Sequence, residues 1–287
     1  MTSKAYPFGT PSFKAPSFEA PSFEAPSFEA HPFLEVRAVK KSFRDAKDGD
    51  IHLVLSSIHF TVNEGEFVTV IGPSGSGKST LLNIIAGLLP PDEGSVWMQG
   101  ERQTARAGKV AYMMQDDLLF PWQSVKRHVA MPLRIQGVGK RAAEEQAERI
   151  LKTFDLIHLG DRYPKTLSGG QKQRVALARA YIQGTALLLL DEPFGRLDAL
   201  TREDLQAWLE TIWLKEKRTV LMVTHDIEEA LFLGDRVLVL SARPARIVLD
   251  LPVPFARPRK KDVRLTEAFV AFRKTLMQAL AEDTQRL

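Results

Sequence analysis

Gly72-Pro73-Ser74-Gly75-Ser76-Gly77-Lys78-Ser79-Thr80 is the stretch around which the chain is organised. It follows Glu66-Phe67-Val68-Thr69-Val70-Ile71 and leads into Leu81-Leu82-Asn83-Ile84-Ile85-Ala86-Gly87, whose apolar spacing suits a helix. Strand, glycine loop and helix in that order are the context a phosphate-binding loop requires. Glycines let successive backbone N–H groups turn inward around an oxyanion, and the helix N-terminus adds partial positive charge. Lys78 supplies a full charge to the outer phosphates, and Ser79 offers a hydroxyl to Mg2+. The loop predicts a nucleoside triphosphate ligand. It does not say what the energy drives.

With 287 residues, the chain is long for one compact domain and short for two, so one main domain with additions is expected. A formal charge of +4 is too small to argue for nucleic acid and fits an ordinary surface. The absence of cysteine excludes a disulfide framework and a thiolate metal site. No stretch approaches the roughly 20 apolar residues needed to cross a bilayer, so a membrane role is expected to come through a partner.

Upstream of the loop, Pro11-Ser12-Phe13-Lys14-Ala15 begins a five-residue repeat that continues as Pro-Ser-Phe-Glu-Ala from Pro16, Pro21 and Pro26. This period matches neither helix nor strand, and residues 1–32 read as a disordered tail. Strands are expected over Leu34 to Phe43, Ile51 to Val62, Phe67 to Ile71 and Ser95 to Gln99, as a β-rich subdomain laid against an α/β core. Phe43 has two open readings, a purine-stacking aromatic or a core residue. From Gly108 to Leu167 the character is helical, with an Ile150, Leu151, Phe154 stripe for the core. Phe120 and Trp122 are either exposed on a loop or buried.

Leu167-Ser168-Gly169-Gly170-Gln171 opens a second helix with free N–H groups, suited to an anion or, more simply, capped by Ser168. Ala186 to Leu190 then reads as a buried strand ending in Asp191-Glu192-Pro193. Thr219 to Thr224 is another, ending at His225-Asp226 before a helix over Ile227 to Leu233. Acidic residues at the carboxyl end of a buried parallel strand sit where ligands bind in open α/β sheets. Asp191 suits Mg2+ and Glu192 suits water. A strand over Arg236 to Ser241, a basic run Arg257-Pro258-Arg259-Lys260-Lys261 read as a solvated connector, and a helix over Phe269 to Leu280 complete the reading.

Five separated motifs in this order resemble the ATP-binding subunits of ABC transporters, over roughly Leu34 to Asp250. Leu167 to Gln171, Leu190 to Pro193 and Thr224 to Asp226 make the resemblance specific. It implies an α/β P-loop NTPase with a RecA-like parallel-sheet core, an antiparallel β subdomain and an α-helical subdomain. The boundaries expected are 33–258 for the ATPase domain and 259–287 for a basic linker and helix. Carried over, Gly72 to Thr80 hold the phosphates of ATP, Ser79 and Gln115 approach Mg2+, and Asp191 holds it through water. Glu192 is then the general base, His225 contacts the γ-phosphate, and Phe43 stacks on adenine.

The resemblance further implies a head-to-tail dimer with a second copy of the chain, in which Ser168, Gly169, Gly170 and Gln171 close over the partner's nucleotide. Asp198 would serve cross-dimer communication, with Arg196 standing where the family usually has a small residue. Leu118-Leu119-Phe120-Pro121-Trp122 resembles importers for nitrate, sulfonates, taurine and related small anions or thiamine precursors. Such a system implies a permease docking near Phe120 to Trp122, an extracytoplasmic substrate-binding protein, and a peripheral place on the cytoplasmic face of the membrane. The alternatives are an exporter or lipoprotein-release ATPase and, more remotely, a soluble ATPase acting on DNA or ribosomes; no nucleic acid is expected.

Overall fold

The structure is a computed structural model that describes residues 32–45, 49–103, 109–195 and 197–284. The expectations for the repeat through residue 31 and for Arg196 therefore lie outside the described residues.

In chain order the elements begin with strands β1 (Leu34–Arg44), β2 (Ile51–Val62) and β3 (Phe67–Ile71), helix α1 (Lys78–Ala86), and strands β4 (Glu93–Met98), β5 (Glu101–Arg102) and β6 (Val110–Met113). Helices α2 (Val125–Ile135), α3 (Lys140–Thr153) and α4 (Gly169–Tyr181) follow, then β7 (Leu187–Asp191), α5 (Ala199–Glu216), β8 (Thr219–Val223) and α6 (Ile227–Leu233). The last elements are β9 (Arg236–Leu240), β10 (Ile247–Pro252) and α7 (Glu267–Thr284).

Two sheets result. One is four-stranded and antiparallel, ordered β2-β1-β4-β5; the other is six-stranded, ordered β10-β9-β3-β8-β7-β6. In the second, β9, β3, β8, β7 and β6 run parallel and β10 is antiparallel at the edge. The central strands Phe67–Ile71, Leu187–Asp191 and Thr219–Val223 are buried at every position, as strands covered on both faces must be. Alternation decides which core each side chain joins. Leu188 and Leu190 meet the helices, with Val175, Leu177, Leu205 and Leu209, while Leu187 and Leu189 meet Leu81, Ile85 and Val36 on the opposite face. Each such fully buried side chain contributes roughly 1.5–3 kcal/mol of transfer free energy.

Several elements escape the sequence reading. β6 has four residues, too few for periodicity to register, within a stretch read as helical. β5 and β10 are short or half-buried edge strands. α5 escapes as well, because its buried face includes Gln206 and Glu210, which break the apolar pattern. Their partners explain the burial: Arg264 donates to Gln206, and Arg257 and the Arg259 backbone N–H both donate to Glu210 Oε1.

The same contacts correct the reading of Arg257 to Lys261 as a solvated connector. Arg259 is 4% exposed. Its Nη1 donates to the carbonyls of Leu231 (3.0 Å), Phe232 (3.0 Å) and Gly234 (2.7 Å), the C-terminal end of α6. A helix C-terminus has unpaired carbonyls and partial negative charge, so a buried guanidinium satisfies both. Burial, with Arg257 nearby, pushes the Arg259 pKa down to about 10. Arg257 lies 4.2 Å over the Trp213 ring and also donates to Asp235 Oδ1 (2.8 Å). Neither acid is a sequence neighbour, so composition alone gives the run no partners.

Candidate functional site

The phosphate loop spans the end of β3 and the start of α1. Gly77 caps α1 with φ +102, and a Cβ there would stand 2.7 Å from Val54 Cγ1 and 2.9 Å from Leu55 Cδ2. Backbone conformation and space both demand glycine. Lys78 is buried inside the turn, its Nζ donating to the carbonyls of Gly72 (2.9 Å) and Pro73 (2.9 Å). Desolvation lowers the Lys78 pKa, with Glu192 and Asp191 pulling the other way. Ser76 Oγ is buried with no hydrogen-bond partner among the described residues. Arg243, in the turn after β9, donates from Nε to the Gly75 carbonyl and braces the loop from outside.

Three parallel strand ends face this loop. Asp191 ends β7 and is 3% exposed; Tyr112 of β6 donates its hydroxyl to Asp191 Oδ2 at 3.4 Å. Asp191 Oδ1 is buried without a partner among the described residues. Burial raises the Asp191 carboxyl despite the Ser79 hydroxyl beside it, and raises Tyr112 as well. An unpaired buried carboxylate oxygen next to a serine hydroxyl is a donor set that fits a hard divalent cation.

Glu192 follows at φ +47, a left-handed conformation that few non-glycine residues adopt and that is costly enough to cluster at functional positions. Its backbone N–H is held by the Val223 carbonyl at 2.9 Å. Its Oε2 accepts from Gln115 Nε2 at 3.3 Å and faces His225 Nδ1 at 3.3 Å. Residues 115, 192 and 225 follow β6, β7 and β8 respectively, so three separate strand ends deliver their side chains to one oxygen.

Phe43, near the end of β1, is 42% exposed, which removes the core reading. With Arg44, His52, Val54, Thr80 and Arg243 it lines a cavity of about 340 Å³.

Ser168 and Gln171 form a capping box on α4: Gln171 N–H donates to Ser168 Oγ (3.3 Å) and Ser168 N–H to Gln171 Oε1 (3.0 Å). No hydrogen bond joins Ser168 to Gln171 with Gly72 to Thr80 among the described residues. Asp198 caps α5, its Oδ1 accepting from Thr201 N–H at 3.1 Å; such bonds hold its carboxyl below the usual carboxylate range.

Phe120 and Trp122 are 41% and 69% exposed, with rings stacked at 5.2 Å and 6°. Their loop is tied down from beneath. Arg179 of α4 donates to the carbonyls of Asp117 (2.7 Å) and Leu118 (2.8 Å), and His128 Nε2 donates to that of Phe120 (3.0 Å). Leu118, Phe120, Met131, Pro132 and Ile135 line a groove of about 500 Å³ beside it.

Sequence reasoning missed Tyr112, Arg179 and Arg243. Tyr112 sits on the unrecognised β6, and the two arginines act on backbone carbonyls, which leave no mark in composition. Among the described residues no helix is long and apolar enough to cross a membrane.

The family described as ABC transporter matches residues 55–195. The chain is 46% identical over 210 residues to a taurine import ATP-binding protein of Sinorhizobium fredii, covering 73% of this chain and 79% of that one. It is 43% identical over 227 residues to an aliphatic sulfonates import ATP-binding protein of Bacillus cereus (78% and 87%). It is 40% identical over 235 residues to a formylaminopyrimidine import ATP-binding protein of Halalkalibacterium halodurans (81% and 92%). Among solved structures, the dimeric post-hydrolysis state of an ATP-binding cassette bound to ADP and Pi superposes with a TM-score of 0.69 at 30% identity, covering 78% of this chain and all of that one. With glycine loop, strand-end acids and histidine all in place, and with identity of this level across most of each relative, the chain belongs to the ABC transporter family as an ATP-binding, ATP-hydrolysing subunit.

Proposed function

We propose that the protein energises an importer of a small organic or inorganic anion (nitrate, sulfonate or taurine-like) or of a thiamine precursor. It would work as a dimer of residues 33–258, with 259–287 as a C-terminal addition, peripheral to the cytoplasmic face of the membrane through permease subunits fed by an extracytoplasmic binding protein. The observation that carries the ATPase chemistry is the meeting of Gln115 and His225 on Glu192 Oε2. Import rests on the relatives named above.

In this reading the amides of Gly72 to Thr80 and the ammonium of Lys78 bind the phosphates, and Phe43 stacks on the adenine. Ser79 and Gln115, with Asp191 through water, would hold Mg2+, which neutralises charge developing on the phosphates. Glu192 orients the attacking water and takes its proton on the carboxylate. His225 donates toward the γ-phosphate. Ser168 to Gln171 of the second copy close the site and exclude water, so both glycine clusters are used.

Phe120 and Trp122 would meet the permease. Asp198 lies at the start of α5, where a change at the dimer seam would reach the same strand ends. The test is reconstitution in vesicles with a permease and a binding protein of the taurine or sulfonate import type. ATP-dependent uptake of a small anion or thiamine precursor is expected. Efflux, or ATP hydrolysis indifferent to any membrane partner, would overturn the import reading.

A further inference from the structure

Glu229 is a buried acid that the chemistry above does not use. It lies on α6, four residues beyond His225, and is 4% exposed. Its Oε2 accepts from Thr224 Oγ1 at 2.9 Å, and the same hydroxyl oxygen accepts from Asp226 N–H at 3.0 Å. Thr224 itself is 1% exposed, and its backbone N–H is held by the Val70 carbonyl at 3.1 Å. The residues on either side of His225 are thus tied through one hydroxyl to one carboxyl group. The His225 side chain, by contrast, is 56% exposed and meets Glu192 Oε2 at its ring nitrogen. Where the imidazole stands is therefore set by the turn beneath it.

We propose that Glu229 is a positioning residue for His225, fixing through Thr224 the turn from which the imidazole reaches Glu192. The inference rests on the reading that His225 acts in hydrolysis.

The charge state of Glu229 fits this task. Its Oε1 has no partner among the described residues, a costly arrangement for a carboxylate and a tolerable one for a neutral acid. Burial raises its pKa to about 8. The charged groups facing it are Asp226 on its own turn, Arg202 of α5, whose Nη1 stands 3.5 Å from Asp226 Oδ2, and Glu192 at the end of β7. From α7, Arg273 is engaged outward by Glu228 at 2.6 Å, and β3 contributes only the Thr69 hydroxyl, which donates to the Ala230 carbonyl at 3.2 Å. A glutamine, neutral and of the same shape, is therefore the conservative replacement, and alanine removes the tie.

The experiment measures turnover, ATP affinity and amide exchange in the full chain for Glu229→Gln, Glu229→Ala and Thr224→Val. Glu229→Ala and Thr224→Val are expected to lose about tenfold in kcat with ATP affinity within about twofold, whereas Glu229→Gln stays within about twofold in both. Adding Glu229→Ala to His225→Ala should change the residual rate by less than about twofold, because the two act as a unit. The Asp226 amide should exchange about tenfold faster in Glu229→Ala than in Glu229→Gln.

A full tenfold loss on top of His225→Ala, a loss of ATP affinity in place of turnover, or unchanged Asp226 exchange would overturn the proposal. His225→Ala with normal turnover would instead sink the role of His225, while the exchange result would still decide whether Glu229 holds the turn.

Discussion

Nδ1 of His225 and Oε2 of Glu192 lie 3.3 Å apart, although the residues follow different strands of the parallel sheet. The same oxygen accepts from Gln115. One carboxylate oxygen is thus met by an imidazole on one side and, on the other, by an amide from the loop that leads to Phe120 and Trp122.

Replacing Glu192 by Gln keeps the hydrogen bond to Gln115 possible and removes the base. ATP binding should persist, and hydrolysis should fall by about 10² to 10⁴-fold, with ATP-dependent dimers accumulating. Phosphate release and size-exclusion chromatography check both, and near-normal turnover would reject Glu192 as the base.

Gly77→Ala and Gly100→Ala separate backbone strain from steric fit. Both glycines have positive φ, +102 and +78, but a Cβ at Gly100 meets nothing within 4 Å. Gly100→Ala should cost only about 1 kcal/mol and leave nucleotide affinity alone. Gly77→Ala adds an overpacking cost of roughly 1–3 kcal/mol against Val54 and Leu55 and should weaken ATP binding, as chemical denaturation and nucleotide titration will show.

Arg259→Met leaves the carbonyls of Leu231, Phe232 and Gly234 at the end of α6 without their buried donor. The expected loss is roughly 3 kcal/mol, read as a lowered urea midpoint, because buried acceptors left without a donor cost about 1–3 kcal/mol each. A change within experimental error would return this run to the solvated role that its composition suggests.

Stability should depend on pH through Glu229. Its folded pKa of about 8 exceeds the ordinary 4.5, so its contribution is fully present below the unfolded value and is lost as pH rises through the folded one. The wild type should therefore weaken relative to Glu229→Gln between about pH 4.5 and 8, by at most about 1.4 kcal/mol per unit. Parallel unfolding curves for the two proteins across this window would contradict the burial of a neutral acid.

Trp122→Ala should barely alter folding, since the ring is 69% exposed, yet weaken association with the permease by about 2 kcal/mol or more if the stacked pair anchors that interface. Thermal unfolding and co-purification with the membrane partner report the two effects separately.

Local chemistry determined much of this protein in advance. The phosphate loop, the buried strands bearing Asp191 and His225, and the helix after Asp226 are each written within a few consecutive residues, where glycine geometry and side-chain period are the whole signal. The tertiary structure alone decided what lies between distant segments. It brought Gln115, Glu192 and His225 to one oxygen, stood Phe43 in an open cavity beside Thr80, and gave the basic run Glu210 and Asp235 as partners. It also buried Glu229 beneath the histidine turn. The physical reason is the same throughout. A local period is fixed by backbone geometry, whereas a charge is settled inside a protein only when its partner arrives from elsewhere in the chain, and no run of neighbours records that partner.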